Sequence, residues 1–223
     1  DIIDIGGEST RPGASSVSTE DEIERVVPVV KELAGEGLLI SVDTTKAQVA
    51  KRALDAGAWM INDVSAMRDP AMSGVLNEFD APVVLMHMRG TPQTMQDDLA
   101  YDDITAEISA YLLERIEFAE SEGVARERIV IDPGIGFGKS REGNFEIIRK
   151  LKSFKALGRP VLVGASRKSF LSAKVLDAAK DRLTPTIAAH TAAILNGAGI
   201  IRVHDVREAV SAARVSEMVR DMG

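Results

Sequence analysis

Residues 129–140 read Ile-Val-Ile-Asp-Pro-Gly-Ile-Gly-Phe-Gly-Lys-Ser, an apolar run that ends in an aspartate and leads through a glycine-rich turn towards a helical segment. A short β-branched run between turn signals is typical of a buried parallel strand, because apolar and polar residues stop alternating when both faces of a sheet are covered. The stretch therefore predicts a strand–turn–helix unit with a polar side chain at the carboxyl end of its strand.

The same unit recurs along the whole chain. Besides the run at 129–131, we predict strands at 2–5, 38–42, 59–61, 82–86, 161–163 and 200–203. Helical segments alternate with these runs near 19–34, 46–56, 70–79, 103–122, 142–156, 184–197 and 206–220. Unbroken alternation of this kind requires a parallel sheet with right-handed crossovers, which leaves a doubly wound open sheet or an eight-stranded barrel.

Polar residues at the strand ends favour the barrel. Nearly every run ends in them: Glu8, Asp43, Asn62 with Asp63, His87, Asp132, Ser166, and Arg202 with His204. A doubly wound sheet concentrates its chemistry at one switch point, whereas all strand ends of a barrel converge on one mouth. We therefore predict an α/β fold, a (β/α)8 TIM barrel, with residues 1–223 as a single domain. Because only seven units are present and the chain opens within a strand, we expect the first strand–helix unit to be missing.

Composition excludes several classes of protein. The chain has 223 residues, a formal net charge of −7 and 45% hydrophobic residues, which is typical of a globular protein and argues against nucleic acid as its main partner. Its lack of cysteine excludes disulfides and cysteine-ligated zinc, and its 3 histidines are widely separated. No apolar run approaches the roughly 20 residues of a membrane helix. We therefore predict a cytoplasmic protein with no membrane contact.

The glycine-rich turn nearly matches a nucleotide-binding P-loop, but residue 133 is proline where that motif requires glycine. Proline has no N–H to offer a phosphate, so the P-loop interpretation fails. Two alternatives remain for Asp132. It caps the turn, or it accepts two hydrogen bonds from an amidine-like ligand edge while Phe137 offers a ring for stacking.

Two later strands end in basic residues. After the strand at 161–163, Lys168 would present a point charge and Ser169 a donor and an acceptor, although an exposed basic pair is often only a solvated face. In the last strand Arg202 and His204 share one face, which we expect to point into the barrel near its mouth. There Arg202 must meet an anion, either an internal carboxylate or a phosphate-type ligand.

Four other residues allow both a structural and a functional interpretation. Asp43 could cap the helix that begins near residue 46, Asn62 could satisfy loop backbone, and Met86 could be plain core. Arg11 could be a solvated loop residue, or its guanidinium could pair with a carboxylate of a ligand. The common position of Asp43, Asn62 and Met86 at strand ends favours function, and Arg11 lies on a loop over the same mouth.

Seven motifs together closely resemble the bacterial dihydropteroate synthase family, and they occur in order along the chain: Gly6–Gly13, Ser41–Thr44, Ile61–Asp63, Leu85–Met88, Asp132–Lys139, Ser166–Ser169 and Arg202–Asp205. The resemblance implies a (β/α)8 barrel that joins 4-aminobenzoate to 6-hydroxymethyl-7,8-dihydropterin diphosphate. The implied products are 7,8-dihydropteroate and diphosphate, in the folate pathway.

The resemblance also implies roles for individual residues. The implied pterin pocket consists of Asp43, Asn62, Met86, Asp132 and Lys168. The implied diphosphate clamp is Arg202 with His204. The implied 4-aminobenzoate side, where sulfonamides compete in this family, consists of Thr10, Arg11, Pro12, Phe137, Lys168 and Ser169. The implied catalytic groups are Asp43, Asp132, Lys168, Arg202 and His204, which act through electrostatic positioning and form no covalent intermediate.

One departure from the family pattern affects the metal. The family's first strand carries an Asn-Val-Thr-Pro-Asp-Ser-Phe motif whose asparagine binds Mg2+ with the diphosphate, and this chain lacks that motif. We therefore expect Mg2+ as cofactor but no metal ligand within this chain. The family further implies a homodimer. The alternatives are a truncated module that binds pterin without turnover, and a related methyltransferase barrel, which has no evident use for the Ser-Arg-Lys and Arg-Val-His motifs.

Overall fold

The computed structural model describes residues 1–11, 13–172 and 182–221, so that Pro12 is the one predicted site residue outside the described residues. The strands are β1 (Ile2–Gly6), β2 (Leu39–Asp43), β3 (Met60–Asp63), β4 (Val83–Met86), β5 (Ile129–Asp132), β6 (Leu162–Val163) and β7 (Ile200–Ile201). The α-helices are α1 (Thr19–Gly35), α2 (Ala47–Asp55), α3 (Met72–Phe79), α4 (Ile104–Ser121), α5 (Arg141–Arg149), α6 (Leu183–Leu195) and α7 (Val206–Asp221). Short 3-10 helices cover Arg126–Arg128, Leu151–Leu157 and Ser169–Ser172.

All strands are parallel and neighbours in sequence are neighbours in space. Ladders join β1 to β5 in chain order, and β6 pairs with β7. A single bridge between Ile131 and Val161 connects the two groups. Such an order has no switch point, so it excludes the doubly wound sheet and confirms the predicted barrel architecture. Within the described ranges no ladder joins β7 to β1.

The apolar core lies between the sheet and the helices. Its fully buried members include Ile40 on β2, Ile61 on β3 and Leu85 on β4, together with Ile108 and Leu112 on α4. No described helix is long and apolar enough to cross a membrane.

A second, smaller cluster fills the inside of the barrel. It is formed by one residue from each of five consecutive strands: Met60, Val84, Val130, Leu162 and Ile200. Side chains two positions apart on a strand point to the same face. We call this cluster the barrel plug. The residues two positions further along the chain therefore lie directly above the plug, at the mouth of the barrel: Asn62, Met86, Asp132 and Arg202.

Side-chain caps start several of the helices. Ser18 accepts a hydrogen bond from Asp21 N–H at α1, Asp103 accepts from two N–H groups at α4, and Ser140 accepts from Gly143 N–H at α5. The first N–H of α2 is donated to Asp69 Oδ2 at 2.8 Å. The alternative that Asp43 caps this helix is therefore wrong. The Asp43 carboxylate instead accepts a hydrogen bond from Arg202.

The prediction of one continuous helix over 142–156 is wrong, because this segment forms two separate elements. Helix α5 ends at Arg149, and the chain continues as the 3-10 helix Leu151–Leu157. A 3-10 helix places residues three apart on the same side, and this brings the fully buried Leu151 and Phe154 together against the core. Asn196 from the end of α6 donates to the Ile148 carbonyl at 3.0 Å and satisfies the end of α5.

Candidate active site

Arg202 lies between two carboxylates at the mouth. Its Nε is 2.5 Å from Asp4 Oδ2 and its Nη2 is 2.9 Å from Asp43 Oδ2. Asn62 Nδ2 approaches Asp4 Oδ2 at 3.5 Å, at the limit of a hydrogen bond. Of the two partners predicted for Arg202, the structure shows the internal carboxylate. The guanidinium side chain is still 44% exposed, which leaves it accessible to a ligand.

The carboxylates beside Arg202 are not fully satisfied. Oδ1 of Asp4 and Oδ1 of Asp43 are buried without a hydrogen-bond partner among the described residues. Burial raises the pKa of Asp43 to about 7, since it outweighs the lowering effect of Arg202, and the negative charges of Asp4, Asp63 and Glu22 add to the rise. Sequence reasoning missed Asp4, whose signal was an acidic residue inside the apolar run of β1.

Asp132 and Lys168 are two further charged residues at the mouth, and each has a backbone partner. Asp132 is 7% exposed, and its Oδ1 accepts a hydrogen bond from Gly134 N–H at 2.7 Å, so it holds the turn as one alternative predicted. Burial raises the pKa of Asp132, while the positive charge of Lys168 opposes this rise. Burial also lowers the pKa of Lys168 to about 8, with Arg202 adding to the decrease and Asp132 opposing it. Asp132 and Lys168 thus each respond to the other's charge and to that of Arg202, which agrees with the position of the three residues after β5, β6 and β7 at one end of the barrel.

Phe137 lies beneath the Lys168 side chain. The Lys168 Nζ is 4.5 Å from the centre of the Phe137 ring and donates a hydrogen bond to the Ile135 carbonyl. Glycine is favoured at position 136 because its φ is +83°, and a Cβ there would also lie 2.9 Å from Lys168 Cδ. The structure thus brings the glycine-rich turn and the Ser-Arg-Lys motif together.

Ser166 connects the last two strand ends. Its Oγ accepts a hydrogen bond from His204 N–H at 3.2 Å and lies 2.9 Å from His204 Nδ1. His204 and Ser169 are exposed at the rim. Thr10 is half-buried and Arg11 is exposed on the loop after β1, whereas Pro12 cannot be placed because it is outside the described residues.

A cleft of about 380 Å³ opens beside this site, between the loops that follow β1 to β4. Its lining includes Thr10 and Asp43 of the predicted residues, together with Glu8 and Glu22. Lys46 donates to the carboxylates of both Glu8 and Glu22, the latter at 2.5 Å. Sequence reasoning missed Glu22 and Lys46, since a charged residue within a helix or just before one is normally solvated.

The lysine of the P-loop-like stretch is buried beneath the turn. Lys139 Nζ lies 2.8 Å from His87 Nδ1 and donates to the carbonyls of His87 and Phe137 at 3.1 Å and 2.8 Å. Burial lowers its pKa, and burial also lowers the pKa of His87 to about 2, so the imidazole is neutral. Lys139 therefore supports the turn from inside and cannot reach a phosphate.

Met86 is core, as one of its two interpretations predicted. It is 2% exposed and packs in a cluster with Val64, Met88 and Met95, against which Phe137 lies. The cluster forms an apolar wall directly below the mouth. No group of three or more His, Cys, Asp or Glu side chains that could hold a metal ion occurs in the part of the chain that the structure describes.

Comparison with known proteins gives one consistent family. The family model described as "Pterin binding enzyme" matches residues 1–204. The dihydropteroate synthase of Escherichia coli K12 is 44% identical over 217 residues, which are 97% of this chain and 77% of that protein.

Two solved structures confirm the barrel fold. The Yersinia pestis dihydropteroate synthase in complex with a sulfonamide drug has a TM-score of 0.95 at 40% identity, covering 99% of this chain and 80% of that one. The Xanthomonas albilineans enzyme with 4-aminobenzoic acid has a TM-score of 0.92 at 44% identity, covering 99% and 79%. With its strand ends converging on one charged mouth and a match to the family over almost its whole length, this chain belongs to the dihydropteroate synthases, within the family of pterin-binding enzymes.

Proposed function

We propose that this protein condenses 4-aminobenzoate with 6-hydroxymethyl-7,8-dihydropterin diphosphate to give 7,8-dihydropteroate and diphosphate. The observation that carries the proposal is the single mouth in which Asp132 and Lys168 stand together with Arg202. Acidic groups at one wall and cationic groups at the other suit a substrate with an amidine-like ring and an anionic leaving group. Membership of the family supports the same reaction.

For the pterin ring we propose the buried layer above the barrel plug. Asp132 is a buried acceptor at the end of β5, and Asn62 and Asp43 are buried at the ends of β3 and β2. A carboxylate in this position accepts hydrogen bonds from an amidine-like edge and stabilises a ring that gains positive charge when the C–O bond breaks. The methionine cluster around Met86 supplies the apolar wall for the ring.

For the diphosphate we propose Arg202 and His204. A guanidinium has five N–H donors, and Asp4 and Asp43 receive two of those of Arg202. Arg202 can therefore keep its hydrogen bonds to both carboxylates while its remaining N–H groups bind a phosphate oxygen. Its charge stabilises the departing diphosphate in a partly buried site, where electrostatic interactions are stronger than in water.

For 4-aminobenzoate we propose the side of the mouth formed by Phe137 and Lys168. The ring of Phe137 offers a stacking surface next to the ammonium of Lys168. Thr10, Arg11, Pro12 and Ser169 complete this side in the proposal, with Arg11 pairing with the substrate carboxylate. The amine nitrogen of 4-aminobenzoate then captures the pterin methylene without a covalent enzyme intermediate.

The direct test is product formation by the purified protein. Incubation with both substrates should give 7,8-dihydropteroate, detected by mass spectrometry, and release one diphosphate for each product molecule. Calorimetric binding of the pterin diphosphate without any product would instead support the module that binds without turnover. Methyl transfer to or from a pterin would support the methyltransferase alternative.

We also propose Mg2+ as the cofactor. The described residues do not fit a metal site by themselves, because they contain no suitable cluster of ligands, so no step of the reaction is assigned to the ion. Removal of divalent cations with a chelator, followed by titration of Mg2+, tests the proposal. Product formation that is unaffected by the chelator would reject it.

We propose that the protein is a cytoplasmic homodimer. Apolar side chains that are 60–69% exposed lie along α7, which is typical of a surface covered by another chain: Val206, Val215, Met218 and Val219. Sedimentation velocity should show a dimer, and Val215→Lys with Met218→Lys should dissociate it, whereas Val29→Lys on α1 should not. A monomeric wild-type protein would contradict the proposed dimer. The proposed compartment is tested separately by cell fractionation, in which the protein should appear in the cytoplasmic fraction.

A further inference from the structure

The turn that carries Lys168 has an unfavourable backbone conformation. It runs from Ala165 to Lys168 after β6, and Lys168 N–H is bonded to the Ala165 carbonyl at 3.3 Å. Arg167 has a φ of +56°, in the left-handed region that non-glycine residues seldom adopt. Such a conformation persists only where the surrounding structure stabilises it.

Helix α6 supplies that stabilisation with two buried side chains. Thr186 Oγ1 accepts a hydrogen bond from Arg167 N–H at 3.0 Å, and His190 Nε2 accepts one from Ala165 N–H at 3.2 Å. Each side chain is 1% exposed. Residues four apart lie on the same face of a helix, so the two acceptors are spaced to bind two N–H groups of one turn.

The protonation state of His190 allows it to act as a hydrogen-bond acceptor for this turn. Burial lowers its pKa to about 4 and the positive charge of Lys168 adds to the decrease, so the imidazole is neutral and its Nε2 is an acceptor at neutral pH. Its Nδ1 is buried without a hydrogen-bond partner among the described residues. Burial of an unpaired Nδ1 costs free energy, and the polar contact that His190 makes in return is the hydrogen bond to Ala165 N–H. We therefore assign His190 the role of holding this backbone.

The turn determines where the Lys168 ammonium lies. The charged groups that face it are Asp132 from β5, Asp43 from β2 and Arg202 from β7, with His190 behind it on α6. If the turn relaxed, the amine would move away from the Ile135 carbonyl and the Phe137 ring. Its desolvation, and with it its titration, would change.

We propose that Thr186 and His190 are positioning residues that hold the Ala165–Lys168 turn in its left-handed conformation, and thereby place the Lys168 ammonium beside Asp132 and Phe137 for the reaction. The role in catalysis rests on the proposed function, whereas the effect on Lys168 does not. Neither residue touches the substrate in this proposal.

The test uses paired variants of the full-length protein. Thr186→Val removes one acceptor at nearly constant volume, and Thr186→Ser restores it. His190→Leu removes the other acceptor, and His190→Gln keeps one at a similar position. Thr191→Val, which changes a half-buried threonine on the same helix, is the matched control.

Two quantities are measured for each variant. The first is trace acetylation of Lys168 as a function of pH, followed by peptide mass spectrometry. The second is kcat/KM for dihydropteroate formation.

Wild-type Lys168 should titrate with a pKa of about 8. In Thr186→Val and His190→Leu this pKa should rise towards the ordinary lysine value of about 10.4. The kcat/KM should fall about tenfold to a hundredfold, because a shift of about 1 Å in a reacting group has an effect of this size. Thr186→Ser, His190→Gln and Thr191→Val should behave like the wild type.

Two results would overturn the proposal. One is an unchanged Lys168 titration in both Thr186→Val and His190→Leu. The other is an equal change in Thr191→Val, which would show a general effect of the helix. A wild type that forms no dihydropteroate would reject the proposed function instead, and the acetylation data would still decide whether α6 positions Lys168.

Discussion

Arg202 and Lys168 differ in how each cation is held. Arg202 has two carboxylate partners and is partly exposed, and their negative charges raise its pKa above the ordinary arginine value. Lys168 is half-buried and donates to a backbone carbonyl, with no ion-pair partner among the described residues, and burial lowers its pKa, so its charge is more easily lost. At a pH above about 8 the proposed site therefore loses the cation beside Asp132 while it keeps the one beside Asp43.

Replacement of either cation should abolish most of the proposed activity. Lys168→Ala and Arg202→Ala should each reduce kcat/KM for dihydropteroate formation by at least about a hundredfold, because each removes a charge aimed at the reacting groups. Lys51→Ala and Arg149→Ala, which remove exposed cations on α2 and α5, should leave turnover unchanged. Near-normal turnover in Lys168→Ala or Arg202→Ala would remove the role assigned to that residue.

Asp43 should make stability depend on pH. Its carboxyl group titrates at about 7 in the folded protein against 3.8 for an ordinary aspartate. Between these values the folded state binds more protons than the unfolded state, so the contribution of this group to the free energy of unfolding falls as the pH rises. In urea titrations at about pH 5 and about pH 7.5, the free energy of unfolding of Asp43→Asn should therefore rise relative to that of the wild type as the pH increases.

Asp55→Asn, which changes an exposed aspartate at the end of α2, is the control for this measurement and should keep the wild-type pH dependence. The same pH dependence in Asp43→Asn and in the wild type would contradict the assignment. The raised pKa values of the buried Asp63 and Asp132 and the lowered pKa values of the buried His87 and His190 contribute with opposite signs, and the variant and the wild type share these contributions.

Among the elements, the glycine-rich turn after β5 depends most on close backbone packing. Gly134 has a φ of +71°, and a Cβ there would lie 1.9 Å from the His87 carbonyl oxygen at the end of β4. The same carbonyl accepts a hydrogen bond from Lys139. The turn is thus packed against the neighbouring strand end and bonded to it, which fixes the position of Phe137.

Alanine at two glycines should have opposite effects. Gly134→Ala should lower the free energy of unfolding by more than about 1 kcal/mol, because neither the positive φ nor the His87 carbonyl tolerates a Cβ. Gly74→Ala in α3 should raise it by about 0.5–1 kcal/mol, because the site is helical with no atom within 4 Å of the new Cβ. Chemical denaturation measures both values. Equal effects of the two substitutions would contradict this account.

At the scale of the whole molecule, Arg202 links the two ends of the strand order. Its partner Asp4 is on β1, whereas Arg202 directly follows β7, so the ion pair spans strands that no described ladder joins. One continuous apolar cluster extends from Val26 on α1 to Ala198 before β7. That residues 1–223 form a single domain stays a prediction, and a single cooperative unfolding transition would support it.

Loss of this link should destabilise the whole barrel. Arg202→Met should lower the free energy of unfolding by about 2 kcal/mol, because it leaves two carboxylates without their cation, moderated by the exposure of the guanidinium. Arg128→Met, which removes the partner of the exposed Asp80, should cost less than about 1 kcal/mol. Urea unfolding measures both, and a larger effect for Arg128→Met would contradict the proposed link.

The sequence by itself determined the seven strands and the surrounding helices, because hydrophobic periodicity and turn residues are local signals. It also predicted that Asp132, Lys168 and Arg202 lie at the same end of the barrel, because the carboxyl ends of parallel strands converge there. The one misjudged element, the segment 142–156, contains the local tightening that buries Leu151 and Phe154.

Only the tertiary structure decided which partners these side chains have. It assigned Asp4 to Arg202 across 198 positions of sequence, Asp69 rather than Asp43 to the start of α2, and His87 to the buried Lys139. It also showed that Thr186 and His190 bind the backbone of the Lys168 turn. These contacts join residues far apart in the chain, and no local pattern encodes a hydrogen bond whose two partners meet only when the barrel has formed.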